Sequence, residues 1–259
     1  MINTTMTVRD VVVEFPEATR VFERLKIDYC CGGNRRLADA CSVTGLAVET
    51  VIEMVKAAGA KNEATVDFQK LGLPKLIAHI LDTHHVFTRE EMARLDALLQ
   101  KVIGAHGENH PELNRLSALF ATLSDDLKPH MLKEEQILFP YIISLAEAQE
   151  RGRRAPFAPF VTVNNPVRMM MREHDTAGEL LRELRTVTSN YTTPGDACIS
   201  YRTLYEAMEG FERDLHQHIH LENNILFPRA IELEQIVCNN QANQSLPGSI
   251  TERNQVSLS

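Results

Sequence analysis

The sequence predicts an all-α protein, an antiparallel four-helix bundle preceded by a small helical domain. Three observations carry this reading. Four long stretches repeat their apolar residues at helical spacing and are joined by short connections, as in an up-down-up-down bundle. None of them alternates apolar and polar residues with period two, so no strand is expected. The second half of the bundle also repeats the first, which points to a duplicated helical hairpin.

Residues 1–60 read as the small domain. Val8, Val11 and Val12 share a helical face, and Pro16 starts a second helix, where proline suits the first turn. Val21, Phe22 and Leu25 continue that helix. Tyr29-Cys-Cys-Gly-Gly33 lies in a glycine turn, and Leu46, Val48, Val51, Ile52 and Val55 form another amphipathic helix. A small, polar stretch then places a linker at 61–72. The bundle is expected over 73–235, with helices near 74–104, 111–148, 166–190 and 196–234. Residues 236–259 are rich in Asn, Gln and Ser without apolar periodicity, and are expected to be a disordered tail.

Lys plus Arg number 27 and Asp plus Glu 35, for a net charge of −8. An acidic chain without a basic run is a poor match for nucleic acid or an anionic membrane. No apolar stretch follows a basic start, and no run of about 18 apolar residues exists to span a bilayer. The five cysteines (Cys30, Cys31, Cys41, Cys198, Cys238) are an odd number without a disulfide framework. A cytoplasmic protein with reduced thiols is expected, with Cys41, Cys198 and Cys238 inert.

The repeat carries the chemistry. His130 is followed by Glu134 and then Leu138-Phe139-Pro140, and His218 by Glu222 and then Leu226-Phe227-Pro228, at matching offsets. His85 lies 45 residues before His130, and His174 lies 44 before His218. Positions i and i+4 share a helix face. Leu123 and Leu127 lead to His130, Phe211 and Leu215 to His218, Met170 and Met171 to His174, and Ala78 and Leu81 to His85. All six residues therefore point into the core.

A lone buried histidine is ordinarily a hydrogen-bonded core residue, and a single His-x-x-x-Glu is often a surface pair. Two matched copies on apolar stripes are a stronger signal. A buried, unpaired carboxylate costs several kcal/mol or becomes protonated, and no Lys or Arg sits on these stripes. Four imidazoles and two carboxylates suit two metal ions. Each ion would take two imidazoles, both carboxylates would bridge, and a bridging oxide or hydroxide would complete the set. Iron fits such ligands, as do manganese and zinc. His84 is an alternative to His85 that helical phase disfavours. His216 and His220 fall on other faces, and His79, His106 and His110 have no partner pattern. Glu135 lies about 100° around the helix from Glu134, on an exit path or on the solvated surface. Pro129 predicts a kink or break just before His130, and a rotation of that residue there would put the first metal site in doubt.

These residues resemble the Repair of Iron Centers family, of the YtfE/ScdA type, over about residues 6–235. Tyr29–Gly33, the two His-x-x-x-Glu segments with their Leu-Phe-Pro ends, and Glu173-His-Asp175 carry the resemblance. It implies a haemerythrin-like bundle holding two non-haem iron ions on His85, His130, Glu134, His174, His218 and Glu222. It also implies repair of iron–sulfur clusters damaged by nitrosative or oxidative stress, by iron donation. The alternatives are an enzyme that reduces or transfers nitric oxide, or a sensor of O2 or NO. Expected partners are damaged iron–sulfur proteins and NO or O2, with no nucleic acid and no membrane, in a monomer or homodimer. The neighbouring thiols Cys30 and Cys31, exposed by flanking glycines, would relay iron or NO between bundle and client.

Overall fold

The structure is a computed structural model and describes residues 1–59 and 67–244. In the small domain α1 (Val8–Glu14), α2 (Ala18–Leu25), α3 (Leu37–Val43) and α4 (Val48–Gly59) surround one apolar cluster. α1 begins at a reciprocal cap: the Asp10 N–H donates to Thr7 Oγ1 at 3.1 Å, and the Thr7 N–H donates to Asp10 Oδ2 at 3.0 Å. α2 ends at Lys26 in the left-handed conformation, φ 57°. The apolar periodicity does not predict α3, whose seven residues bury only Leu37, Ala40 and Cys41. Thr7 and Arg36 form an isolated bridge, and no strand occurs among the described residues.

The first bundle helix is α5 (Leu73–His79), a π-helical turn (Ile80–His85) and α6 (Val86–His106). The second is α7 (Glu112–Lys133), a π turn (Glu134–Leu138) and α8 (Phe139–Glu150). The third is the uninterrupted α9 (Asn164–Val187). The fourth is α10 (Ile199–His220), a π turn (Leu221–Leu226) and α11 (Phe227–Gln244). α6 packs on α10 and α7, and α7 packs on α9.

Two expectations are corrected. No break occurs at Pro129: α7 runs through it, and His130 remains buried. Pro129 and Asp125 both lie on the exposed face, so water can take up the carbonyl that proline leaves without a donor. The tail expected from residue 236 is helical as far as Gln244. Leu233 and Val237 bury against the bundle and hold the added turns there, whereas Ile236 is exposed. Residues 245–259 of the expected tail, and 61–66 of the expected linker, lie outside the described residues. Residues 67–72 are tied to the bundle: the Arg229 guanidinium donates to Leu71 O at 2.7 Å and Phe68 O at 3.5 Å.

The bundle interior is two apolar clusters. One holds Leu95, Leu116, Phe120, Leu181, Tyr201 and Phe211 towards the loops 107–111 and 188–198. The other holds Leu76, Ile80, Phe139, Ile142, Val167 and Phe227 towards the opposite end. Each fully buried Leu or Phe contributes about 1.5–3 kcal/mol, so each cluster holds all four helices in register. The polar layer between them need not supply the stability itself. No helix among the described residues is long and apolar enough to cross a membrane.

Candidate metal centre

Along every bundle helix the passage from one apolar cluster to the other is marked by a candidate ligand. His85 does this on the first helix, His130 and Glu134 on the second, His174 on the third, His218 and Glu222 on the fourth. All six are buried. The π turns fall at these same places: His85 ends the first, Glu134 begins the second, and Glu222 is the second residue of the third. A π turn inserts a residue into the helical ladder and re-aims the side chains around it.

The donor atoms form two groups, and the two glutamates belong to both: His85, His218, Glu134 and Glu222, and His130, His174, Glu134 and Glu222. The Nε2 atoms of His85 and His218 are 3.1 Å apart, and those of His130 and His174 are 2.9 Å apart. Each carboxylate divides its oxygens between the groups. Glu134 Oε2 lies 3.5 Å from His85 Nε2, and its Oε1 lies 3.4 Å from His130 Nε2. Glu222 Oε1 lies 3.0 Å from His218 Nε2, and its Oε2 lies 3.2 Å from His174 Nε2.

The fit to metal rests on what these atoms lack. Both oxygens of Glu134 and Oε2 of Glu222 are buried without a hydrogen-bond partner among the described residues. Orphaned anionic oxygens in an apolar interior require cations. Imidazole nitrogens sit about 2.0–2.1 Å from an ion of the zinc class, so a pair near 3 Å apart is close enough to share one. The electrostatics agree in direction. Burial opposes the charge on His85, yet Glu134 and Glu222 hold its pKa up at about 10. Burial likewise opposes the charge on His130, while Glu134, Glu173 and Glu222 raise it to about 10. Burial works against ionised Glu222 too, but the surrounding imidazoles keep its pKa well below the usual range.

Three histidines are aimed by residues that periodicity does not reveal. Nδ1 of His85 meets Glu135 Oε1 at 2.6 Å, Nδ1 of His130 meets Glu173 Oε2 at 2.7 Å, and Nδ1 of His174 meets Asn223 Oδ1 at 2.8 Å. A partner on Nδ1 fixes the tautomer and leaves Nε2 for a metal. Glu135 is therefore neither on an exit path nor merely solvated: Arg89 pairs with it, and it orients His85. The hydrogen bond from His130, helped by Lys133, holds the Glu173 carboxyl down at about 2. The motifs contain a signal for this, since each partner directly precedes or follows a candidate ligand.

His84, the alternative to His85, is buried but outside both donor groups. Its Nδ1 meets Asp214 Oδ1 at 3.0 Å, and its ring stacks 5.7 Å from that of His218. His216 and His220 fall outside as well: His216 meets Glu23 at 2.9 Å, and His220 meets Asn224 at 2.9 Å. His106 and His110, which have no partner pattern in sequence, come together with Asp196 at the opposite end of the bundle.

The cysteine pair is not exposed as the glycine turn suggests. Cys30 is buried, Cys31 is half-buried, and both face the bundle with their sulfurs 3.7 Å apart. Asn224 donates to Tyr29 O at 3.0 Å and Asn223 to Cys30 O at 3.4 Å, which seats the turn on the π turn of the fourth helix. The Cys31 thiol donates to the backbone carbonyl of His174 at 3.4 Å. Gly178 makes this approach possible, because a Cβ there would lie 3.1 Å from Cys31 Sγ. Glycine inside a helix costs about 1 kcal/mol relative to alanine, so Gly178 is a legible sign of close packing. The Cys31 thiol, and then burial, push the Cys30 thiol well above its ordinary pKa.

Residues 76–230 match the family model described as the hemerythrin HHE cation binding domain. Residues 4–59 match the ScdA N-terminal domain, described as a domain of unknown function. The chain is 34% identical to the iron–sulfur cluster repair protein YtfE of Yersinia pseudotuberculosis, over 86% of this chain and 96% of that protein. It is 31% identical to the iron–sulfur cluster repair protein ScdA of Staphylococcus haemolyticus, over 88% of this chain and 98% of the relative.

Proposed function

The chain belongs to the family of the hemerythrin HHE proteins YtfE and ScdA, and from that membership we propose that it repairs iron–sulfur clusters damaged by nitrosative or oxidative stress, by donating iron. In this reading His85, His218, His130 and His174 hold two iron ions, with Glu134 and Glu222 shared between them and a bridging oxide or hydroxide completing the set. The observation that carries it is the division of both carboxylates between two imidazole pairs, with orphaned oxygens buried between. Bound iron is the cargo, and its ligands suit release. Imidazole and carboxylate are harder donors than the thiolates of a cluster site, which favours passage of the iron towards sulfur.

The protein's own groups do the rest. Glu135, Glu173 and Asn223 hold three imidazoles in the tautomer that offers Nε2. The apolar clusters on either side exclude water from the layer. The cysteine turn lies against the backbone of His174, where a thiol can receive iron leaving that side of the layer. That placement favours transfer over a plain O2 or NO sensor, which has no use for thiols beside its centre.

Loading and pH are linked. Metal binds neutral imidazole, and His85 and His130 are held at about 10 before it arrives. Both are then protonated at pH 7.5, so loading is expected to release one proton from each, and affinity to rise with pH up to about 10. An indicator-dye titration during loading reads this directly; uptake without proton release would contradict the assignment.

The function itself is tested by mixing the iron-loaded protein with an iron-depleted cluster protein, sulfide and a thiol reductant. Iron is expected to leave the donor in proportion to the cluster formed. Full retention of iron while the cluster recovers would overturn donation, and catalytic consumption of NO with the iron retained would favour the enzyme reading.

A further inference from the structure

The far end of the bundle holds a second group of donors. His106 closes α6, and His110 lies in the connection that follows it. Asp196 lies in the connection between α9 and α10, and Cys198 caps the start of α10. Donor atoms of His106, His110 and Asp196 all lie within 4.8 Å of one another. Both oxygens of Asp196 lie 3.1 Å from His110 Nε2. From His85 to His106 the helix spans roughly 30 Å, so this group is separate from the centre already described.

Its construction repeats that centre in miniature. Nδ1 of His110 meets Glu112 Oε1 at 2.8 Å, leaving Nε2 towards Asp196 and His106. A carboxylate on one imidazole nitrogen, with the other aimed at further donors, is the arrangement of a metal-binding histidine. Without a metal, an imidazole between two carboxylates must carry a proton on each nitrogen; an ion can take the place of the proton on Nε2. The rings of His106 and His110 each lie 5.4 Å from that of the fully buried Tyr201, which gives the pair a rigid floor.

We propose that His106, His110 and Asp196 form a divalent-metal site of the zinc class that pins the two connecting loops at this end of the bundle. Two imidazoles and a carboxylate, with water in the fourth position, are a zinc donor set, and the two nitrogens discriminate against magnesium and calcium. The site is independent of the iron-donation reading, because neither its residues nor its location belong to the iron layer.

The test uses the full-length, iron-loaded protein and Co2+ as a spectroscopic probe, followed by Zn2+ as competitor. One further ion per chain is expected, with the visible d–d band of tetrahedral cobalt, which Zn2+ removes. His106→Gln with His110→Gln, and separately the exposed Asp196→Asn, are expected to weaken this uptake by more than about tenfold, with the iron content unchanged. The two variants guard against a folding defect in either one. No uptake beyond the iron, or uptake that survives both variants, would overturn the site.

Discussion

Replacing Glu134 by glutamine is expected to weaken iron binding at both positions together, by more than about 100-fold, the upper end of what loss of a mere outer partner costs. Glu222→Gln is expected to do the same. The reason is the division of each carboxylate. One oxygen of Glu134 serves the His85 side of the layer and the other the His130 side. Glutamine preserves the volume but removes the charge, and replaces one oxygen by an amide nitrogen that offers no lone pair. One substitution therefore injures two positions. The helical circular dichroism is expected to persist, because two apolar clusters flank the layer and neither needs the carboxylate. Elemental analysis after competition with a chelator is the measurement. A variant that keeps two irons per chain at wild-type affinity would show that these carboxylates do not bridge.

Changing Cys30 and Cys31 together to serine is expected to leave the iron content and visible spectrum intact while slowing transfer to an acceptor. The loss should reach at least about tenfold, the effect of removing one ~1.4 kcal/mol interaction. Neither sulfur belongs to the six-residue layer, so the stored iron does not depend on them. Cys31 touches the backbone of a candidate ligand, and Cys30 touches Cys31. In the resting protein Cys30 is held as a neutral thiol by its neighbour and by burial. An arriving cation reverses that preference, because a coordinating thiol is deprotonated outright. On the relay reading the pair would be quiet until iron reaches it. An unchanged transfer rate in the double variant, measured with equal iron loading, would remove the thiols from the route.

Much of the centre is legible in the sequence for one reason. His85, His130, Glu134, His174, His218 and Glu222 interrupt apolar stripes, and an interrupted stripe shows in one dimension. The bundle is legible because its four stripes are long. What is not legible depends on three dimensions. The π turns leave no mark in composition, because one added residue per turn shifts phase without changing residue type. Glu135 and Glu173 look like ordinary surface charges until neighbouring helices bring His85 and His130 to them. The inward seating of Cys30 and Cys31 needs Asn223 and Asn224, nearly two hundred positions away. The polar composition beyond residue 235 hides helix because Leu233 and Val237 are too few to show a period, although they suffice to dock it. His106 and His110 gain their meaning only from a loop that closes over them from the other half of the chain.

Among the groups that join the two domains, the amide of Asn223 also touches a candidate ligand. The side chain of Asn223 accepts from His174 through its oxygen and donates to the Cys30 carbonyl through its nitrogen. Its orientation is therefore fixed by both neighbours at once. With His174 as a ligand, attachment of the small domain and the grip on one ion would share a free energy, and by reciprocity each would strengthen the other by an equal factor. A client that pulls the cysteine turn from its seat frees Asn223 to rotate, and His174 then loses the partner that fixed its tautomer. On the donation reading the molecule would act as a latch: shut, it would retain iron, and the act of being grasped by the recipient would open it.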